Sequence, residues 1–111
     1  MTTDAIVVLC SCPDEPTAER IARELVAAHL GACVQRLPGV RSVYRWEGLL
    51  QDEPEVLLLI KTTKSLYQAL EMRLKALHPY DVPEIIALPV VAGSGEYLGW
   101  IAAESNATSH D

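Results

Sequence analysis

The chain has 111 residues, of which half are apolar and 22% are charged, and its formal net charge is −6. This length accommodates one hydrophobic core rather than two, and the composition is that of a globular domain rather than a disordered segment. The acidic charge argues against nucleic acid and anionic membranes as partners, and the apolar runs are too short to span a membrane.

The three cysteines of the chain are too few for a disulfide framework. No basic segment or cleavage site follows Met1, so the sequence predicts no signal peptide. Free thiols are typical of a reducing compartment, and we therefore expect a cytoplasmic protein.

The first half of the chain alternates between strand and helix patterns. The first strand is apolar on both of its faces, as buried strands are, and the helix that follows has apolar residues at helical spacing and ends at Gly31. Pro38-Gly39 is expected to stop the segment 32–37 of the second strand, which continues over residues 40–46, and Gly48 marks a bend near its end. The predicted elements are strand 5–10, helix 17–30 and a second strand in two segments, 32–37 and 40–46.

The second half predicts a polar hairpin tip, a long strand that is apolar on both faces, a helix, another strand and a short C-terminal element. Pro79 ends the helix, so His78 lies at its C-terminal end. The predicted tip is 51–54, and the elements are strand 55–61, a helix with apolar residues from Leu66 to Leu77, strand 83–91, and a short strand or helical turn over 96–102. We expect one domain over residues 1–104 and a flexible C-terminal tail over 105–111.

This order of elements, β-α-β-β-α-β with a short C-terminal extension, predicts an α+β fold of the ferredoxin-like type. Two helices can cover only one face of its sheet, yet three of the predicted strands are apolar on both faces. The uncovered face therefore needs another protein surface, and a homo-oligomer is the simplest source of one.

Candidate metal ligands occur at two distant places in the sequence. Cys10 and Cys12 are two residues apart, so in a strand they share a face, and thiolates suit copper(I) or zinc. Alternatively Cys10 is a small core residue and Cys12 leads into the following turn. His78 is either a ligand or a helix-terminal residue that complements the helix dipole. The end of the second helix need not lie near the end of the first strand, so a joint site could require two subunits.

Other residues have a structural and a functional interpretation. Tyr44, Trp46 and Trp100 could stack on a ligand or fill a core or interface. The carboxylates at residues 14–15 and 52–55 could offer hard oxygen ligands, although carboxylates at turns are usually solvated. Cys33 is predicted to be a core residue. No nucleophile–base pair or phosphate-binding loop is present, so catalysis is not expected.

The sequence resembles the CutA family of divalent-cation tolerance proteins from Val8 to Ile101. The segments that carry the resemblance are residues 8–11, 18–22, 30–34, 38–48 and 55–62, then His78-Pro79-Tyr80-Asp81-Val82-Pro83-Glu84-Ile85-Ile86 and Tyr97-Leu98-Gly99-Trp100. They follow the order of the family with short spacers between them.

This resemblance implies a compact homotrimer similar to the PII signalling proteins, and a protein that binds copper(II) or another divalent cation in the response to metal ions. Carried over by position, the copper ligands of the family are Cys10 and His78. Leu77 stands where the family has a further histidine, and the basic residue usual after Gly48 is absent. An alternative implied by the PII-like architecture is a signalling or scaffold module whose intersubunit clefts bind a partner or small molecule.

Overall fold

A four-stranded antiparallel sheet organises the computed structural model of the chain, in which residues 3–106 are described. The strands lie in the order β2-β3-β1-β4. In chain order the elements are β1 (Ala5–Cys12), α1 (Glu15–Ala27), β2 (Cys33–Trp46), β3 (Leu49–Thr63), a 3₁₀ turn (Lys64–Leu66), α2 (Tyr67–Leu77), β4 (Ile86–Pro89) and α3 (Gly95–Glu104). The mixed α+β class and the predicted order of strands and helices are confirmed.

Local sequence signals set the ends of the helices that flank the site. The Asp14 side chain caps α1 by accepting a hydrogen bond from the backbone N–H of Thr17 at 2.9 Å. Helix α2 ends at His78, whose backbone is extended because Pro79 follows it. His78 is thereby fixed at the junction between α2 and the irregular segment that leads to β4.

Helices α1 and α2 cover one face of the sheet, which we call the helix-covered face. The core between them contains the alternate residues of β1 and β3 that point to this face, together with the buried residues of the helices. Its fully buried members are Val8, Cys10, Cys12, Ala18, Ile21, Leu25, Leu58, Ile60, Leu70 and Leu74. Burial of these side chains supplies most of the hydrophobic stabilisation of the subunit.

The opposite face of the sheet, which we call the open face, is only partly covered. Helix α3 packs over one end of it, where Ile101 meets Ala5 and Ala32. The C-terminal extension, predicted as a short strand or helical turn, is therefore a full helix that covers part of the face expected to be bare. The rest of the open face carries partly exposed apolar residues from all four strands: Val7, Leu9, Leu37, Leu57, Leu59, Ile86 and Leu88.

The β2–β3 hairpin differs from its prediction at two places. Strand β2 does not stop at Pro38-Gly39 but runs through it with a bulge between Leu37 and Val40, where Gly39 adopts a φ of 81°. The hairpin turn is Glu47-Gly48, both with positive φ, and not the polar residues 51–54, which belong to β3. The result is a long two-stranded arm, residues 40–55, that extends beyond β1.

Two further boundaries differ from the predictions. Strand β4 is confined to Ile86–Pro89, within the predicted 83–91, and the preceding residues form an irregular segment beside the end of β1. Ser105 is buried after α3, and most of the predicted tail, residues 107–111, lies outside the described residues. Within residues 3–106, no helix is both long and apolar enough to cross a membrane.

Candidate metal centre

The candidate metal centre lies at the end of β1, where the strand passes under the end of α2. Cys10 and Cys12 point to the helix-covered face, as their spacing predicts, and both side chains are fully buried. His78, at the end of α2, is 7% exposed. Cys12 and His78 thus lie where a regular element meets an irregular segment, and Cys10 lies within β1, two residues before its end.

The two cysteines and the histidine come together within one chain. The sulfurs of Cys10 and Cys12 and one ring nitrogen of His78 all lie within 4.8 Å of one another. Within residues 3–106 this is the only group of three or more such ligand atoms. The end of α2 therefore does lie near the end of β1, and the three residues come together without a second subunit.

The thiols of Cys10 and Cys12 interact so closely that their pKa values move in opposite directions. Their mutual hydrogen bond, together with burial, raises the pKa of Cys10 well above its ordinary value. The same bond lowers the pKa of Cys12, against the opposing effect of burial. Of the two thiols, Cys12 is therefore the one that loses its proton more readily.

The imidazole of His78 is held at both of its nitrogens. Its Nε2 lies 2.7 Å from the carbonyl oxygen of Ser11, and its Nδ1 lies 3.1 Å from the backbone nitrogen of Tyr80. Because the Tyr80 N–H can only donate, Nδ1 accepts and Nε2 carries the proton. The ring is therefore neutral, the form that binds metals, but it must give up one of these hydrogen bonds to do so.

This set of donors suits a soft or borderline metal ion. Two thiols and an imidazole in a buried pocket are ligands for copper or zinc rather than for magnesium or calcium. Cys33 does not belong to the set, since it is half-buried at the start of β2, opposite Lys61. Leu77 packs against the core as a partly buried residue.

A cavity of about 650 Å³ adjoins the candidate metal centre on the open face. It is lined by the end of β1, the β2–β3 arm and the segment after α2, through Ser11, Ser42, Val43, Tyr44, Trp46, Glu55, Tyr80, Asp81, Val82 and Glu84. Of the aromatic residues that the sequence suggested for stacking, Tyr44 and Trp46 line it, whereas Trp100 stacks on Tyr97 with ring centroids 5.5 Å apart.

Two carboxylates of this cavity are held by hydroxyl donors. The hydroxyl of Tyr80 donates to Glu55 at 3.1 Å, and the hydroxyl of Ser11 donates to Glu84 at 3.2 Å. Burial and the bond to Glu55 raise the pKa of Tyr80, which keeps its hydroxyl a donor. The sequence analysis predicts no partner for Glu84 and groups Glu55 with turn carboxylates that are usually solvated, whereas Glu55 is only 8% exposed.

Comparisons with known proteins agree on one family. Residues 6–104 match the family model described as CutA1 divalent ion tolerance protein. The divalent-cation tolerance protein CutA of Pectobacterium atrosepticum is 50% identical over 100 residues, which cover 90% of this chain and 91% of that protein.

Solved structures of similar sequence share the fold. The crystal structure of CutA from Xylella fastidiosa has a TM-score of 0.91 and 47% identity, covering 94% of this chain and 100% of that one. A structure described as the periplasmic divalent cation tolerance protein CutA from Archaeoglobus fulgidus has a TM-score of 0.89 and 31% identity, covering 92% of this chain and 99% of that one.

Proposed function

Because the chain belongs to the CutA1 family of divalent ion tolerance proteins, we propose that it binds copper(II) or another divalent metal ion through Cys10, Cys12 and His78. The observation that carries this proposal is the convergence of the three ligand atoms within 4.8 Å in one buried pocket. The proposed role is binding in the response to metal ions, without catalysis.

Cys12 takes a larger part in this proposal than its spacing in the sequence suggested. The pKa of its thiol is lowered while that of Cys10 is raised, so Cys12 is the thiol of the pair that deprotonates more readily to become a ligand. Cys10 then loses its proton to become the second thiolate ligand. Cys12 thus supplies a third ligand at a centre where Leu77 stands in place of a histidine.

The ferredoxin-like classification and the compact homotrimer belong to the same proposal. Two observations support the assembly. The open face carries partly exposed apolar residues, and the arm of residues 40–55 is exposed on both faces over much of its length, which leaves surface for a second subunit to cover. We further propose that residues 1–104 form the single domain and that the protein is cytoplasmic. Three free cysteines support that location, although the relative from Archaeoglobus fulgidus is described as periplasmic.

Calorimetric titration with copper(II) and zinc(II) tests the metal proposal. Saturable binding by the reduced wild-type protein is expected, with a fixed number of ions per chain. Cys10→Ser, Cys12→Ser and His78→Ala should each weaken it by at least about tenfold, because each removes one ligand.

Cys33→Ser is the matched control, since it makes the same change at a cysteine outside the centre and should leave the affinity unaltered. Light scattering on each variant establishes that the assembly is retained. Binding that survives all three ligand substitutions, or that is lost equally in Cys33→Ser, contradicts the proposed centre.

A further inference from the structure

Cys10 and Cys12 form a pair of free thiols beneath the helices of the helix-covered face. Both side chains are fully buried, and their sulfurs lie within 4.8 Å of each other. Such a pair differs chemically from a single buried cysteine. When one thiol is oxidised, the other is close enough to attack it and complete a disulfide.

The backbone of β1 permits a disulfide between these two residues. Each residue of an extended strand adds about 3.3 Å, so the Cα atoms of residues two apart are separated by about 6.6 Å. Disulfides join Cα atoms up to about 6.8 Å apart when both side chains point the same way. Cys10 and Cys12 share a face of the sheet, because they pair with Leu58 and Val56, two residues of the same core. A small contraction of β1 at Ser11 is then enough to join the sulfurs.

The third cysteine of the chain is kept away from this pair by the sheet. Cys33 on β2 pairs with Lys61 on β3, so the two side chains share a face. Ile60, the neighbour of Lys61, belongs to the helix-covered core, and side chains alternate along a strand. Cys33 therefore lies on the open face, and within one folded chain it cannot form a disulfide with either cysteine of β1.

The pair lies close to solvent although it is buried. Strand β1 ends at Cys12, Pro13 is partly exposed, and Asp14 is exposed. The ends of strands open locally at a lower free energy than their centres, so fraying at Pro13 uncovers the sulfur of Cys12. A small neutral molecule can enter through such an opening.

We propose that Cys10 and Cys12 are a reversible oxidation site, which a hydroperoxide converts into an intramolecular disulfide. With hydrogen peroxide, the Cys12 thiolate attacks one oxygen, the O–O bond breaks, and the hydroxide that leaves takes up the proton released by Cys12 as water. Cys12 is then a sulfenic acid. The sulfur of Cys10 attacks the sulfur of Cys12, the S–O bond breaks, and the hydroxide leaves with the Cys10 proton as a second water.

The two thiols lose two electrons and two protons in this reaction, and the peroxide is reduced to two waters. A small thiol reverses it by exchange with the disulfide. In a reducing compartment such disulfides are transient and typical of redox sensing. Because a disulfide offers no thiolate to a metal ion, oxidation also disables the proposed metal centre. That consequence rests on the proposed function, whereas the oxidation site itself does not.

Mass spectrometry of the metal-free protein after treatment with hydrogen peroxide tests the proposal. The remaining thiols are alkylated in denaturant and the chain is cut with trypsin, which releases residues 1–20 with both Cys10 and Cys12, and residues 24–36 with Cys33. Peptide 1–20 should carry no alkyl group and weigh about 2 Da less than its dithiol form, because two hydrogens are lost. Dithiothreitol added before alkylation should restore a doubly alkylated peptide.

Cys33→Ser is the matched control and should still give the lighter peptide, since it removes a thiol outside the pair. Cys10→Ser and Cys12→Ser each remove one partner and should abolish the lighter peptide. The proposal is overturned if peptide 1–20 of the treated wild type keeps both thiols, carries sulfinic or sulfonic acids in place of the disulfide, or is cross-linked to residues 24–36. Each of these outcomes is independent of what the metal titration shows.

Discussion

At the scale of single residues, the centre depends on a proton that Cys10 and Cys12 share unequally. Their mutual hydrogen bond raises the pKa of Cys10 and lowers that of Cys12, so Cys10 is the last of the pair to lose its proton. Two thiolate ligands require that proton to leave. Under the proposed metal binding, the centre exchanges a proton for its metal ion, and we expect its affinity to depend on pH.

The affinity for zinc(II) is expected to rise with pH. Because the raised pKa keeps Cys10 protonated throughout the neutral range, binding releases its proton, and each released proton increases the affinity about tenfold per pH unit. Titrations in competition with a chelator at about pH 6 and about pH 8 measure this slope. Cys33→Ser should keep the slope, and an affinity equal at both values would contradict the assignment of Cys10 as a thiolate ligand.

The sequence was sufficient to place both cysteines on one face and His78 at a helix end, because these follow from alternation and from Pro79. It could not show that the two places meet, since this depends on where α2 ends over the sheet. Glu55 and Glu84 were missed for a similar reason. Their partners, Tyr80 and Ser11, are 25 and 73 residues away in the chain, so no local pattern identifies them.

At the scale of elements, the course of β3 explains why the sequence predicted the hairpin turn at residues 51–54 and not at Glu47-Gly48. Residues 51–54 are polar and include Pro54, which normally interrupts a strand. Here Pro54 pairs with Arg41 at a level of the arm beyond the last pairing of β1, where β3 has only one neighbour. A proline is tolerated at such an edge, so β3 includes Pro54 and extends to Leu49.

Two glycine substitutions are expected to change stability in opposite directions. Gly48→Ala should lower the free energy of unfolding by about 1 kcal/mol, because a φ of 79° places the new Cβ in a strained conformation. Gly99→Ala lies within α3, where an added Cβ meets nothing within 4 Å, and should raise it by about 0.5–1 kcal/mol. Denaturant unfolding of both variants beside wild type measures the two effects. A higher free energy of unfolding for Gly48→Ala would contradict the positive φ of Gly48 in the turn.

At the scale of the whole molecule, the open face carries apolar surface that a single subunit cannot bury by itself. Alternation along the strands predicted that both faces of the sheet would be apolar, and the structure places a continuous set of such residues on the face away from α1 and α2. The contribution of α3 was not predictable, because residues 96–102 are too few to define a helical period against a strand. This helix narrows the surface left for assembly to the region between α3 and the arm.

Charges introduced on the open face should dissociate the proposed homotrimer. Ile86 and Leu88 are about half exposed in the isolated chain, so Ile86→Lys with Leu88→Lys costs the subunit little but places two charges within an apolar interface. Light scattering should give a lower mass for this variant. Val26→Lys on α1, which is 43% exposed, is the control and should keep the mass of wild type. An unchanged mass in the double variant contradicts assembly through this face.

The complete burial of the two thiols bears on the rate at which the proposed centre would exchange its ion. An ion reaches or leaves the sulfurs only when the chain around them opens, so uptake and release both wait for that local event. The opening, and not the strength of a competing chelator, then limits the speed of transfer. Such a centre would retain its ion through brief changes in metal supply and so act as a reservoir. A protein that transfers ions directly to a partner protein needs thiols at its surface.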